Sequence, residues 1–251
     1  MRETRMFEKN VDAKTPDGIA DCEFFAPDEQ GQWPGVIMYP DVLGTRPAFR
    51  DMARRLVREG FAVLMPNFYY RVSKVPVFSF TPSFGEEKTV ARLGELRPTQ
   101  TPEFVARDVG PYVQTLLAQP QVKKGKVGTV GYCMTGSFAM RTAAAMPDNV
   151  AVAISFHGSR LFSDDVDSVH LILPMIRAKL YFGFAVDDKT MPDEAVAGFK
   201  EALDAAGVDW DSDVYEGANH GWCMPDHPKH HKEQSERAWA KMAKIFKDAL
   251  G

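Results

Sequence analysis

A cysteine set among small residues is the part of this sequence best suited to covalent chemistry. Gly131-Tyr132-Cys133-Met134-Thr135-Gly136 follows a short apolar run at 126–130 and precedes an alanine-rich segment at 137–146. A strand that turns sharply into a helix holds the side chain at the turn exposed above a sheet, and glycines there let the two backbones approach. Only a thiolate attacks, so the cysteine needs help in ionising; the start of the following helix and a nearby imidazole would both supply it. A buried structural cysteine is the plain alternative.

Two later residues complete a nucleophile, acid and base in that chain order. Asp188 follows a strand-like run at 179–184, and His220 follows Val214-Tyr215 within Asn219-His220-Gly221. His220 would take the thiol proton and return one to the leaving oxygen, while Asp188 would orient the imidazole. Asp187 is the adjacent alternative, and the spacing to Pro192 favours Asp188. His157 is the second choice for the base, although it precedes the acid in the chain. Backbone N–H groups of Met134 and Val42 are the expected donors to a developing oxyanion. Cys223, His227, His230 and His231 match no zinc-ligand spacing, so no metal and no organic cofactor is expected.

Alternating strand and helix signals supply the frame for these groups. Residues 34–39 and 61–65 read as buried strands. Between them Phe49, Met52, Ala53, Leu56 and Val57 recur at helical spacing, with Pro47 near the start and Gly60 past the end. Tyr112, Val113, Leu116 and Leu117 mark a helix that is expected to kink or restart at Pro111. A strand at 149–154 leads to His157, Val196, Phe199 and Leu203 mark a helix closed by Gly207, and Trp239, Met242, Ala243, Phe246 and Leu250 mark the last one. This alternation predicts an α/β fold, a mostly parallel central sheet with helices on both faces. The whole chain, 1–251, is expected to form one domain. Residues 67–102, rich in proline and aromatics and with room for a short helix at 86–96, are expected to be a lid or pocket wall; a packed surface excursion is the alternative.

Composition narrows the function classes. A hydrophobic content of 45% and a charged content of 25% are those of an ordinary globular protein. A formal charge of -4 without a basic run argues against nucleic acid and anionic membranes. Three scattered cysteines, no apolar leader core in residues 1–21 and no long apolar run predict a cytoplasmic protein without a disulfide framework.

With these residues in place, the chain resembles the dienelactone hydrolase family of α/β-hydrolases over roughly residues 20–250. The resemblance rests on Val130-Gly131-Tyr132-Cys133, on Pro66-Asn67-Phe68-Tyr69-Tyr70-Arg71, on Asp188-Lys189-Thr190-Met191-Pro192 and on Gly217-Ala218-Asn219-His220-Gly221-Trp222. It implies an α/β-hydrolase fold and a Cys133–His220–Asp188 triad that opens a lactone or activated ester through an acyl-enzyme, with a small-molecule substrate and a monomer or small homo-oligomer. Asp41, Tyr69, Arg71 and Trp222 are the substrate-binding candidates, Arg71 for a substrate carboxylate. Three positions depart from the family. Thr135 replaces a glycine, which predicts a less tightly packed turn. Met224 replaces the arginine of dienelactone-specific members. Asp41 replaces a glutamate near the thiol. A general carboxylesterase, thioesterase or phosphotriesterase with the same triad, and a non-catalytic binding protein with an inert Cys133, are the alternatives.

Overall fold

The computed structural model describes residues 6–251, so the first five residues of the segment inspected for a leader lie outside the described residues. The chain divides into two compact units, one up to Val127 and one from Gly128 onward.

The first unit opens with a hairpin that the sequence reading does not contain. β1 (Met6–Thr15) pairs antiparallel with β2 (Gly18–Pro27) around a two-residue Pro16-Asp17 turn. β2 runs antiparallel to β4 (Ala62–Pro66), which is parallel to β3 (Gly35–Tyr39), giving the order β1-β2-β4-β3. β3 and β4 are buried along their whole length, as strands covered on both faces are. α1 (Pro47–Arg58) buries the expected stripe of Phe49, Met52, Ala53, Leu56 and Val57.

α3 (Pro102–Leu117) starts where the Thr101 hydroxyl accepts the Phe104 N–H, with Pro102 in its first turn. It runs as one helix through Pro111, so the restart expected there does not occur. Val105 and Val109 before the proline, and Tyr112, Val113 and Leu116 after it, are buried together. That continuous apolar face holds the helix across the backbone hydrogen bond that proline cannot make.

The short helix expected at 86–96 is present as α2 (Glu87–Leu96). Residues 67–86 form neither helix nor strand, yet they are tied down. The Asn67 side chain donates to Asp21 and to the Ser73 carbonyl, and the Val75 N–H donates to Asp21. Arg92 on α2 donates to the Val77 carbonyl, and Val77 and Phe78 are buried.

The second unit holds β5 (Val127–Tyr132), β6 (Val150–Phe156), β7 (Lys179–Ala185) and β8 (Trp210–Tyr215) in that spatial order. β6, β7 and β8 are parallel, so their C-terminal ends share one edge, where ligands bind in such sheets. α4 (Gly136–Ala145) and α6 (Lys232–Leu250) pack on β6. α5 (Asp193–Ala206) begins with Asp193 and Glu194, whose carboxylates complement the helix dipole, and ends at Gly207. Cys133, His157, Asp188 and His220 each stand just past a strand of this unit. No helix among the described residues is long and apolar enough to cross a membrane.

Candidate active site

β5 passes into one tight turn, Cys133–Thr135, and then into α4. Cys133 takes φ +58°, a left-handed conformation that costs a residue with a Cβ about 1 kcal/mol. Local bonds impose it. The Thr135 hydroxyl donates to the Tyr132 carbonyl and accepts the Tyr132 N–H, both at 3.0 Å, and Thr135 is fully buried. The residue expected to loosen the turn therefore clamps it.

Gly131 and Gly136 are required by close approach. A Cβ on Gly131 would lie 2.0 Å from the Thr135 carbonyl oxygen, and one on Gly136 would lie 2.2 Å from Ser155 Oγ and 2.9 Å from Gly158 Cα. Backbone cannot yield as a flexible side chain can. Gly131→Ala is expected to destabilise the fold by about 3 kcal/mol, read from urea denaturation; an unchanged midpoint would refute the close-approach account.

Cys133 Sγ lies 3.1 Å from His220 Nε2, and His220 Nδ1 lies 2.7 Å from Asp188 Oδ2. The other Asp188 oxygen accepts from the Thr190 N–H at 2.9 Å and the Thr190 hydroxyl at 2.7 Å. Asp187 is exposed at φ +49° and turns the chain so that Asp188, 5% exposed, faces inward. The two loops are laced: the Val186 N–H donates to the Ala218 carbonyl, and the Asn219 side chain donates to the Val186 carbonyl. Ser159 joins the group without any sequence signal. Its N–H donates to the Cys133 carbonyl, and its hydroxyl lies 3.8 Å from the sulfur.

The charges fit this geometry. Burial on its own would depress His220, but hydrogen bonds to Asp188 and Cys133, with their charges, raise it to about 10. Burial likewise opposes ionisation of Asp188, and the His220 and Thr190 hydrogen bonds overcome it, holding the carboxyl below its usual range. The arrangement favours an imidazolium beside the Asp188 carboxylate. It can deliver a proton to a leaving group on the sulfur side.

The other candidates have partners of their own. Asp41 is buried in a two-pronged ion pair with Arg46 at 2.6 and 2.9 Å. Its backbone carbonyl and carboxylate also accept the Gly44 and Leu43 N–H groups, next to Val42. Tyr69 is buried and donates its hydroxyl to the Val42 carbonyl at 2.8 Å. Arg71 is held by Asp108 at 2.7 Å and by Asp17 at 2.6 Å. Trp222 is wholly buried, stacked on Tyr215 at 4.2 Å with Phe156 and His157 around it. It supports the His220 turn from beneath. Met134 is half-buried in the turn itself. His157 is buried behind His220, and its ring nitrogens bond to nothing among the described residues. Cys223 and the histidines at 227, 230 and 231 form no group suited to a metal among the described residues.

A strand–turn–helix elbow carrying Cys133, with Asp188 and His220 past later strands of the same unit, has the layout of a hydrolase of the α/β-hydrolase fold. Solved structures share that fold over nearly the full length. One from Klebsiella pneumoniae, named "Putative Dienelactone Hydrolase", superposes with a TM-score of 0.84 at 20% identity, covering 97% of this chain and 99% of that one. A dienelactone hydrolase-like promiscuous phosphotriesterase from metagenomic libraries gives 0.76 at 22% identity, covering 98% and 99%. A Synechocystis protein named "Putative carboxymethylenebutenolidase" is 26% identical over 226 residues, 88% of each chain. The model of the dienelactone hydrolase family matches residues 21–250, and the chain belongs to that family.

Proposed function

We propose that this chain is a cysteine-dependent hydrolase that opens a lactone or activated ester through an acyl-enzyme on Cys133. The observation that carries the proposal is the unbroken line from Asp188 through His220 to the Cys133 sulfur, at 2.7 and 3.1 Å. In the first half-reaction the thiolate adds to the carbonyl carbon. The oxyanion is received by the Met134 N–H at the start of the elbow helix. Collapse breaks the acyl–oxygen bond, and His220 Nε2 gives its proton to the departing oxygen. In the second half-reaction neutral His220 takes a proton from water as the water adds to the thioester. Collapse returns the sulfur as thiolate beside the imidazolium. Asp188 keeps Nδ1 protonated throughout, which leaves Nε2 free to exchange the moving proton.

Enol and phenol leaving groups suit such a site because they depart with little protonation. Two positions from which the family resemblance suggests a cation for a substrate carboxylate do not offer one freely. Met224 is apolar and buried, and Arg71 is held between Asp17 and Asp108. The proposal therefore favours neutral lactones and esters over dienelactone itself.

Intact mass after brief exposure to a panel of small esters, thioesters, lactones and a phosphotriester tests this. A lactone is expected to add its full mass to Cys133, because ring opening keeps the leaving oxygen tethered; an ester adds only its acyl part. The phosphotriester tests the activity in the metagenomic relative's name. Turnover that survives complete alkylation of Cys133, without any adduct, would overturn the proposal.

A further inference from the structure

His157 is a buried imidazole that the proposed mechanism leaves unused. It follows β6 at φ +38°, is 1% exposed, and neither ring nitrogen has a hydrogen-bond partner among the described residues. Left-handed backbone and unpaired desolvated nitrogens are both unfavourable. Phenylalanine would fill the space without the second cost.

The ring faces the base. The His157 and His220 ring centroids are 5.0 Å apart, with planes at 69°. Tyr132 at 6.3 Å and Trp222 at 6.1 Å close other sides, and the His157 backbone N–H donates to the Gly183 carbonyl on β7. Both nitrogens of His220 are committed, to Asp188 and to Cys133. The two imidazoles therefore meet through their rings and fields, not through a hydrogen bond.

We propose that His157 is a positioning residue for His220, its neutral imidazole dipole steadying the imidazolium form of the base while the thiolate attacks. This rests on the triad proposed above. The titratable groups around His157 are His220, His227 and Tyr132, with Asp188 and Cys133 beyond His220. Burial, and then the two neighbouring imidazoles, keep His157 well below the usual imidazole range, hence uncharged. A neutral imidazole chooses the tautomer that turns its lone pair toward a positive neighbour. Phenylalanine offers only a ring face, and leucine offers neither.

His157→Phe is expected to melt above the parent, since it removes two unpartnered polar atoms. Measured at a pH above the parent's alkaline limb, its kcat falls about tenfold at unchanged KM, because the limb itself moves down by about one unit, the same free energy expressed as a proton equilibrium. In the parent that limb reflects His220 at about 10. His157→Gln, a neutral acceptor without the ring, returns the limb toward the parent, and His157→Leu does not. An unshifted limb at parental kcat, or kcat and melting temperature lost together with the limb unmoved, overturns the proposal. If His157→Phe does not fold, equal limbs in the Gln and Leu variants overturn it. Full activity in Cys133→Ala would sink the triad instead; Cys133-dependent turnover with parental His157 profiles sinks this inference alone.

Discussion

The variant Cys133→Ala is expected to fold as the parent does and to lose ester turnover by at least about a thousandfold, the scale on which a triad nucleophile matters. The loss is chemical because the side chain does little else. The sulfur is half-buried, and its polar neighbours are His220 and the Ser159 hydroxyl. Alanine keeps a Cβ, so the left-handed backbone at this position is strained to the same degree. The clamp of Thr135 on Tyr132 and the His220–Asp188 bond are untouched. Steady-state hydrolysis alongside thermal melting checks both halves. Activity within tenfold of the parent, at an unchanged melting temperature, would remove the sulfur from the chemistry.

Asp188→Asn is expected to lower kcat by about 10⁴-fold, the size found when such an acid becomes an amide. The reason is specific to this site. Thr190 points two donors, its N–H and its hydroxyl, at one Asp188 oxygen. In the variant the amide oxygen must face those donors, so the amide NH2 faces His220 Nδ1. That ring nitrogen then accepts, Nε2 carries the proton, and His220 cannot take one from the thiol. The charge that helps hold His220 near 10 is lost as well, so the alkaline limb of any residual activity shifts to lower pH. Asp187→Asn, at an exposed position, is expected to stay within about twofold, as substitutions away from buried networks do. Equal losses in the two variants would refute the assignment of the acid.

The parts legible from sequence are those carried by short spacings. Glycine, cysteine and the apolar runs around them lie within residues 126–146, and they specify a strand, a turn and a helix without reference to the rest of the chain. Asp187 and Asp188 are neighbours that spacing alone barely separates, and Asp188 is the one whose carboxylate reaches His220. Burial and distant pairing decided the rest. Trp222 beside the base reads as a pocket wall, yet its ring lies entirely within the core. Arg71 reads as a free cation, but its partners sit 37 and 54 residues away, where no local pattern records them. Thr135 reads as a poor substitute for glycine, because nothing in the residue type shows that its hydroxyl meets both the backbone N–H and the carbonyl of Tyr132. The β1–β2 hairpin escaped because β1 is only half-buried and carries Glu8, Lys9, Asp12 and Lys14.

The lacing of the loops after β7 and β8 bears on how the site moves. Val186 and Ala218 share a backbone hydrogen bond, and Asn219 grips the Val186 carbonyl. A fluctuation that swings the imidazole away from the sulfur has to tear these links, carrying the carboxylate's own loop with it. The Asp188 and His220 loops are then expected to open as one cooperative patch, with their amides exchanging with solvent through a shared opening.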